Sequence, residues 1–329
     1  MKTAVVILNW NTCSYLEQFL PGIIRSLEGM DAEVIVADSA STDGSMEMMR
    51  QRFPGVRRIE LDANYGFTGG YNQALAQVDA EYFVLLNSDI EVTQDWLRPL
   101  VDWMDSHPDC GACGPKLLSY YDHGSFEYAG AAGGLLDRWG FPYCRGRVMG
   151  RVGRDRGQYD TPADVLWVTG ACLMVRSRLW DELGGLDERF FAHMEEIDFC
   201  WRAQLAGWRV QVIPQSVVYH LGGGTLPQNS PWKLQLNFRN NLLLLENNLP
   251  CTIGRTRARA IIRWRRLLDR FAQAAYALTG RFAYARAVSR AHAEYRQLRL
   301  VRDPESSGHT RIQGYRQGTL LILEYLKKL

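Results

Sequence analysis

The sequence runs to 329 residues, 47% hydrophobic and 22% charged, a balance that excludes a disordered or low-complexity chain and leaves room for a large core. Seven cysteines, odd in number and mostly inside apolar runs, exclude a disulfide framework and fit a reducing compartment. The net charge of +2 hides a division: residues 251–329 hold 17 Lys and Arg against 5 Asp and Glu, a local +12, while the remainder carries −10.

Thr3 to Asn9 and Glu33 to Asp38 are apolar runs that end in polar residues. Between them Leu16, Phe19, Leu20, Ile23, Ile24 and Leu27 recur at helical spacing, which predicts a strand, helix, strand unit. The alternation continues with a helix near Gly44 to Phe53, a strand near Val56 to Leu61, a helix near Thr68 to Val78, and the strand Tyr82 to Leu86. A chain built this way folds as α/β, a mostly parallel sheet with helices on both faces and right-handed connections. Thr93 is the expected N-cap of a further helix reaching Ser106.

From Gly111 the alternation stops. Cys110 and Cys113 form a CxxC with no second pair, which reads as a turn before a strand rather than a zinc or redox site. Residues 120–161, rich in Gly, Tyr and Arg, predict a long binding loop or small hairpins over the sheet. Order returns in the apolar Val165 to Val175, a helix through Arg178 to Leu183, a helix from Met194, and strands Arg209 to Ile213 and Ser216 to Tyr219. Beyond Pro231 the chain reads as helical and, from Arg255, as strongly basic.

The Tyr82 to Leu86 run stops at Asn87-Ser88-Asp89, placing a carboxylate where a buried parallel strand emerges, the edge at which such sheets bind ligands. Asp89 is therefore a candidate to hold a divalent cation on a diphosphate, because phosphate oxygens and water can fill most of the coordination shell. Asn87 and Ser88 can assist. His220, ending Val217-Val218-Tyr219 beside Gly222, Gly223 and Gly224, is a candidate ligand, a phosphate donor, or a structural histidine.

Asp38 emerges from the second strand, where it can read the N–H of a nucleobase or cap its own loop, and both roles stand open. Asp43 reads as the cap of the next helix. The loop Asn64 to Asn72, with Gly66, Gly69 and Gly70, can bring backbone N–H groups to an anion or serve as a tight turn. Glu195, Glu196 and Asp198 open a helix. Asp198 can pair with Arg202, four residues on, whereas Glu196 faces Phe199 and Cys200, and partial desolvation there raises a carboxylate toward the pKa of a useful base.

Six motifs in order, VVILNWN (Val5 to Asn11), ADSASTDGS (Ala37 to Ser45), NYGFTGGYNQAL (Asn64 to Leu75), LLNSD (Leu85 to Asp89), WVTGACLMV (Trp167 to Val175) and GGLDERFFAHMEEIDFCWRAQLAGW (Gly184 to Trp208), resemble the family 2 glycosyltransferases of the GT-A fold, in their bacterial rhamnosyltransferase-like branch. The resemblance covers residues 3 to 245 and implies a GT-A catalytic domain over 1–250, with a donor-nucleotide half (1–118) and an acceptor half (119–250), followed by a basic helical extension over 251–329. Position by position it implies a donor site of Asn9, Asp38, Asn64, Gly66, Gly69, Asn72, Asn87 and Ser88, a metal site of Asp89 with His220, and an acceptor pocket at Trp167, Thr169 and Gly170. Glu196 takes the base position, with Glu195 and Asp198 beside it. Three departures stand out: Asn87 replaces the first acid of the DxD-like motif, Glu196 replaces the usual Asp, and Ser39 stands where Asn is usual.

The implied reaction is an inverting, Mg²⁺- or Mn²⁺-dependent transfer of a sugar, first choice rhamnose from dTDP-rhamnose, to a hydroxyl of a glycan or polyprenyl-diphosphate-linked acceptor in surface polysaccharide, O-antigen or cell-envelope synthesis. A UDP-linked hexose, galactofuranose or N-acetylhexosamine donor stands behind it. A nucleotidyltransferase would need a second metal carboxylate at Asn87 and leaves the acidic cluster unexplained, and a non-catalytic sugar-binding homologue would not need Asp38, Asp89 and Glu196 together.

In the basic tail Ile261, Ile262, Trp264, Leu267, Leu268 and Phe271 alternate with Arg263, Arg265, Arg266 and Arg270 at helical spacing. Such a helix can lie on an anionic membrane or pack its apolar side on the body, and the two readings weigh equally. The stretch Ala4 to Leu8 is too short for a signal peptide, and no run approaches the ~20 apolar residues of a spanning helix, so the expectation is a cytoplasmic protein, soluble or peripheral on the inner face of the membrane. Nucleic acid is not an expected partner, since no stacking platform accompanies the arginines.

Overall fold

Strand β1 (Thr3–Asn9) is buried on both faces and sorts its side chains by the period of two, Ala4 and Val6 into one core and Val5 and Ile7 into the other. This computed structural model describes residues 1–222, 230–300, 312–321 and 325. Helix α1 (Cys13–Ser26), β2 (Ala32–Ser39), α2 (Ser45–Arg52), β3 (Arg57–Leu61), α3 (Gly66–Leu75) and β4 (Tyr82–Leu86) follow in the expected alternation. β1 pairs in parallel with β2 and β4, and β2 with β3, so Asn9, Asp38 and the end of β4 emerge at one edge.

The second half makes the sheet mixed. After β5 (Ile90–Val92) and α4 (Arg98–Ser106) come β6 (Cys110–Ser119) and a region of short strands, β7 (Gly134–Asp137), β8 (Pro142–Cys144), β9 (Arg147–Val148), β10 (Arg151–Val152) and β11 (Ala163–Asp164). β12 (Cys172–Arg176) runs antiparallel between β4 and β6, α5 (Ser177–Leu183) and α6 (Glu195–Leu205) follow, and β13 (Arg209–His220) pairs in parallel with β6. Helices α7 (Pro231–Ile253), α8 (Arg255–Leu278) and α9 (Phe282–Leu298) pack together, and β14 (Tyr315–Arg316) closes a small second sheet in the order β10, β9, β8, β7, β14. Helix α7 thus runs through residue 250, and the chain beyond it returns to the body.

Two cores hold the layers. Leu16, Phe19, Leu20 and Ile23 of α1 and Leu100 and Met104 of α4 cover one face of the sheet, and Tyr71 of α3, Phe199 and Trp201 of α6 and Leu242 to Leu245 of α7 cover the other. Each large side chain withdrawn from water in this way contributes about 1.5–3 kcal/mol.

Several expectations are corrected. The helix expected from Thr93 starts at Arg98 with Pro99 in its first turn, because Ile90–Val92 pairs with β13 and the Thr93 hydroxyl bonds the Val217 carbonyl at 3.0 Å. Cys110 and Cys113 lie inside β6, buried and free, rather than in a turn. The two strands expected over 209–219 are one, β13, with a register shift between Ile213 and Val217. The glycine-rich stretch is not a loop preceding a helix, since Gly66 to Asn72 form the first turns of α3. Gly70 packs closely there, as a Cβ would lie 2.8 Å from the Leu8 side chain and oblige it to shift. Residues 120–161 are short hairpins, one of the two forms expected.

Candidate active site

A cavity of about 650 Å³ opens at the edge where β1, β2 and β4 end, and it draws its lining from both halves of the domain. Leu8, Trp10, Thr12, Ser39, Asn64, Gly66, Asn87, Ser88 and Asp89 contribute from the first half. Trp167, Thr169, Gly170, Glu195, Glu196 and His220 contribute from the second.

At the end formed by β1 and β2, Asp38 and Asn9 stand just behind the lining, both buried. Asp38 accepts the Asn9 side-chain amide at 2.6 Å and the Ser41 backbone N–H at 2.9 Å, and Asn9 accepts the Thr12 hydroxyl. One of the two open roles of Asp38, capping its loop, is therefore filled, and the network sets the backbone of Ser39 against the cavity. Asp43 accepts the N–H of Cys13 at the start of α1 and that of Ser45 at the start of α2.

The α3 residues divide. Asn64 and Gly66 line the cavity, whereas Gly69 and Asn72 do not. Asn72 is spent on the chain itself, donating to the Leu186 carbonyl at 2.9 Å and accepting the Leu186 N–H at 2.9 Å. The N–H groups of Phe67 and Thr68 at the helix start point at the carbonyl of Phe191, at 2.7 and 3.2 Å. Protein rather than an external anion thus takes the donors that a helix start offers.

Beyond β4, Asn87 donates its N–H to the Ala171 carbonyl, and pairing of Ile90 with His220 brings Asp89 against the histidine. His220 Nε2 lies 3.2 Å from Asp89 Oδ1, and its Nδ1 lies 3.4 Å from Glu127 Oε2, an ion-pair distance without hydrogen-bond alignment. Desolvation works to lower the imidazole, but contact with two carboxylates wins and pushes it up to about 10. Burial likewise works to raise the Asp89 carboxyl, and His220 reverses this and holds it below its ordinary value. Gly223 and Gly224 lie outside the described residues.

Helix α6 carries the acids, and the turn before it is strained: Phe191, His193 and Met194 all have positive φ, at 62°, 71° and 69°. Asn240 of α7 pins that turn by donating to the carbonyls of Phe190, Ala192 and His193, and Arg239 adds a bond to Phe190. Glu195 is buried, and desolvation together with the charge of Glu196 pushes it well above the usual carboxylate range. Desolvation raises Glu196 to about 7, its Oε2 shut off from solvent with no hydrogen-bond partner. Gly170 packs beside it, and even a Cβ there would only make ordinary contact with the Glu196 side chain at 3.4 Å. Asp198 faces away from the cavity, fully buried against Arg202 at 2.7 Å and the side chains of Asn247 and Asn248.

Trp167 closes the remaining side. Its indole lies over Gly134, where a Cβ would collide with the ring, and its Nε1 reaches the Leu135 carbonyl at 3.3 Å. Sequence reasoning passed over Glu127, Arg147, Lys233 and Asn240, the first three cavity-lining. The first two sit in the segment without period, and only the Arg239-Asn240-Asn241 triplet interrupting a leucine-rich helix offered a signal.

The donor set suits a hard divalent cation: a buried carboxylate in Asp89, an amide and a hydroxyl beside it, and an imidazole within reach. Among the described residues no group of three or more His, Cys, Asp or Glu is arranged to enclose an ion by itself. The residues therefore fit an ion whose remaining positions come from a bound diphosphate and water. His220 could join as a ligand only after losing the proton its two carboxylate neighbours stabilise.

The family described as Glycosyl transferase family 2 matches residues 4–180. An N-acetylglucosaminyl-diphospho-decaprenol L-rhamnosyltransferase of Mycobacterium tuberculosis is 29% identical over 231 residues, 66% of this chain and 75% of that protein. Rhamnosyltransferase WbbL of Escherichia coli is 23% identical over 238 residues, 68% of this chain and 88% of that one. Among solved structures, the mannosyltransferase PcManGT of Pyrobaculum calidifontis, in complex with GDP-Man and Mn²⁺, superposes with a TM-score of 0.56 at 17% identity, covering 90% of this chain and 82% of that one, which shows the GT-A fold.

Proposed function

The chain belongs to glycosyl transferase family 2 and is a glycosyltransferase, and from that premise we propose an inverting, metal-dependent enzyme that moves rhamnose from dTDP-rhamnose to a hydroxyl of a lipid-linked glycan. The observation that carries this reading is that Asp89, in the turn between β4 and β5, and Glu196, on α6, open onto one cavity. The rhamnosyl part rests on the two rhamnosyltransferases to which the chain is similar, and the lipid-diphosphate part on the Mycobacterium tuberculosis one alone.

In this reading Glu196, raised to about 7, removes the proton of the acceptor hydroxyl. The freed oxygen bonds the anomeric carbon as the bond to the diphosphate oxygen breaks, and the nucleoside diphosphate departs with that electron pair. A divalent cation held on Asp89, with Asn87 and Ser88 beside it, would stabilise the negative charge of the leaving diphosphate. His220, kept cationic by Asp89 and Glu127, adds positive charge on the same wall. Trp167, Thr169 and Gly170 hold the acceptor over Glu196, and Asn9 and Asp38 shape the base pocket.

We assign catalysis to residues 1–250 and a positioning role at an anionic membrane to the basic extension 251–329. No helix among the described residues is long and apolar enough to cross a membrane. The outer side of α8 nonetheless leaves Trp264, Leu267, Phe271 and Leu278 exposed, beside Arg263 and Arg270.

The test is release of nucleoside diphosphate by the purified chain with Mn²⁺ or Mg²⁺, a synthetic N-acetylglucosaminyl-diphospho-lipid, and dTDP-rhamnose or a UDP-sugar. Turnover dependent on dTDP-rhamnose supports the proposal. Turnover with a UDP-hexose alone replaces the donor, and none with any donor removes the reading.

A further inference from the structure

Arg147, at the start of β9, lines the active-site cavity yet is only 6% exposed. Nη1 donates to the Met149 carbonyl at 3.1 Å and Nη2 to the Cys144 sulfur at 3.3 Å, while Nε has no partner. Nε–H and one N–H on each terminal nitrogen are thus left without an acceptor among the described residues. Among the described residues no carboxylate lies within ion-pair distance of it, and the ring of Tyr128 covers the guanidinium at 4.4 Å. Of the other buried arginines, Arg176 donates to the carbonyls of Cys110, Met104 and His107 and Arg239 pairs with Glu294, whereas Arg265, over the Phe141 ring, also leaves Nε and Nη1 unpartnered but does not line the cavity.

The Cys144 thiol and the charge of Glu127 favour the cation, but no carboxylate meets its free N–H groups among the described residues, and buried N–H groups left unmet are costly unless a ligand supplies acceptors. The position of Arg147 says which ligand. Cys144 pairs with both Arg147 and Gly134, and Gly134 bridges to Trp167, so the arginine stands in the small sheet that carries the Trp167 wall of the cavity. A planar fork with free N–H groups matches the oxygens of a phosphate ester.

We propose that Arg147 forms an anion subsite for the acceptor, gripping the phosphate or diphosphate that joins the accepting sugar to its carrier. This rests on the transferase reading above. The apolar surfaces of Tyr128 and Pro142, also in the cavity lining, would border the first carbon units of the carrier.

The test uses the full chain saturated with dTDP and Mn²⁺, so that the donor diphosphate site is filled, and titrates geranyl diphosphate by calorimetry with geraniol as the neutral control. Wild type is expected to bind the diphosphate and not geraniol. Arg147→Gln should weaken that binding at least tenfold with dTDP affinity unchanged within twofold, and Arg147→Lys, which keeps the charge but not the fork, should fall between. The proposal is overturned if wild type does not bind, if geraniol binds equally, if Arg147→Gln binds as wild type does, or if dTDP weakens in parallel, which would give Arg147 to the donor. Should Arg147→Gln not fold, the geraniol comparison and Arg147→Lys still decide. Failure of sugar transfer in a separate assay would remove the transferase reading without altering these titrations.

Discussion

The carbonyl of Phe191 accepts the backbone N–H of Phe67 at 2.7 Å, joining the start of α3 to the strained turn that launches Glu195 and Glu196. Gly66 makes the approach possible: its φ is +71°, and a Cβ would lie 2.5 Å from the Phe191 ring and 2.6 Å from its carbonyl oxygen. Gly66→Ala is therefore expected to destabilise the fold by on the order of 2–4 kcal/mol, combining left-handed strain with overpacking. It should also reduce transfer more than donor binding, because the displaced turn carries the base. Urea unfolding and nucleotide titration of the same variant measure both, and unchanged stability would show that the two segments move independently.

Glu196→Gln removes the proton acceptor while keeping size and hydrogen-bonding capacity. Transfer is expected to fall by on the order of 10²–10⁴ with donor binding intact. In wild type, kcat/KM should rise with pH through a midpoint near 7, set by desolvation of the Glu196 carboxyl, and this limb should vanish in the variant. Retained turnover with an unchanged profile would hand the role to Glu195. Asp198 is held away from the cavity by Arg202, Asn247 and Asn248.

The same carboxyl has a signature in stability. Its folded pKa of about 7 lies above its ordinary 4.5, so between those values the folded chain keeps a proton that the unfolded chain releases. Stability contributed by the protonated form is present below about pH 4.5 and is lost as pH rises toward 7. Glu196→Gln escapes that loss. The variant should exceed wild type by on the order of 2–3 kcal/mol at pH 8 and differ little at pH 5, read from urea midpoints at the two pH values.

What could be read beforehand follows from where the information lies. Strands β1, β2 and β4 are short apolar runs buried on both faces, so composition alone marks them, and the polar residue that ends each marks the ligand edge. Strand β6 is equally buried but holds Gly111, Gly114 and Pro115, residues that local propensity assigns to turns and that this strand uses for close packing under Trp208 and Val168 and for an irregular pairing with β13. Glu127 and Arg147 meet the site through contacts far along the chain and carry no local period. Asp89 and Glu196 could be singled out as candidates from the strand edge and the apolar helix face as well as from motif resemblance, whereas the strained turn between Phe191 and Met194 and its Asn240 anchor exist only in three dimensions.

Asp89 offers the buried carboxylate to which a cation and diphosphate would bind together. Mn²⁺ is expected to bind weakly alone, since no enclosing set of ligands exists among the described residues, and tightly once dTDP is present. Asp89→Asn should reduce the Mn²⁺-dependent part of dTDP affinity at least tenfold, and chelation should stop transfer reversibly. Calorimetry with and without Mn²⁺ checks this, and metal-independent dTDP binding in wild type would contradict it.

The two readings of the basic helix now separate by residue. Ile262 is buried and Ile261 and Leu268 are partly buried, so that side of α8 packs against the body. Leu267 and Phe271 remain 44% and 62% exposed, one and two turns from Trp264 and flanked by the exposed Arg263 and Arg270. A stripe of this kind gains about 1.5–3 kcal/mol for each large apolar side chain moved from water into the headgroup boundary, plus attraction to anionic lipid. The intact chain should float with phosphatidylglycerol vesicles and far less with phosphatidylcholine. Leu267→Ser combined with Phe271→Ser should lower flotation at least tenfold, and because both positions are exposed the fold should be untouched. Equal flotation of the double variant, or none by wild type, would leave α8 as a packing helix alone.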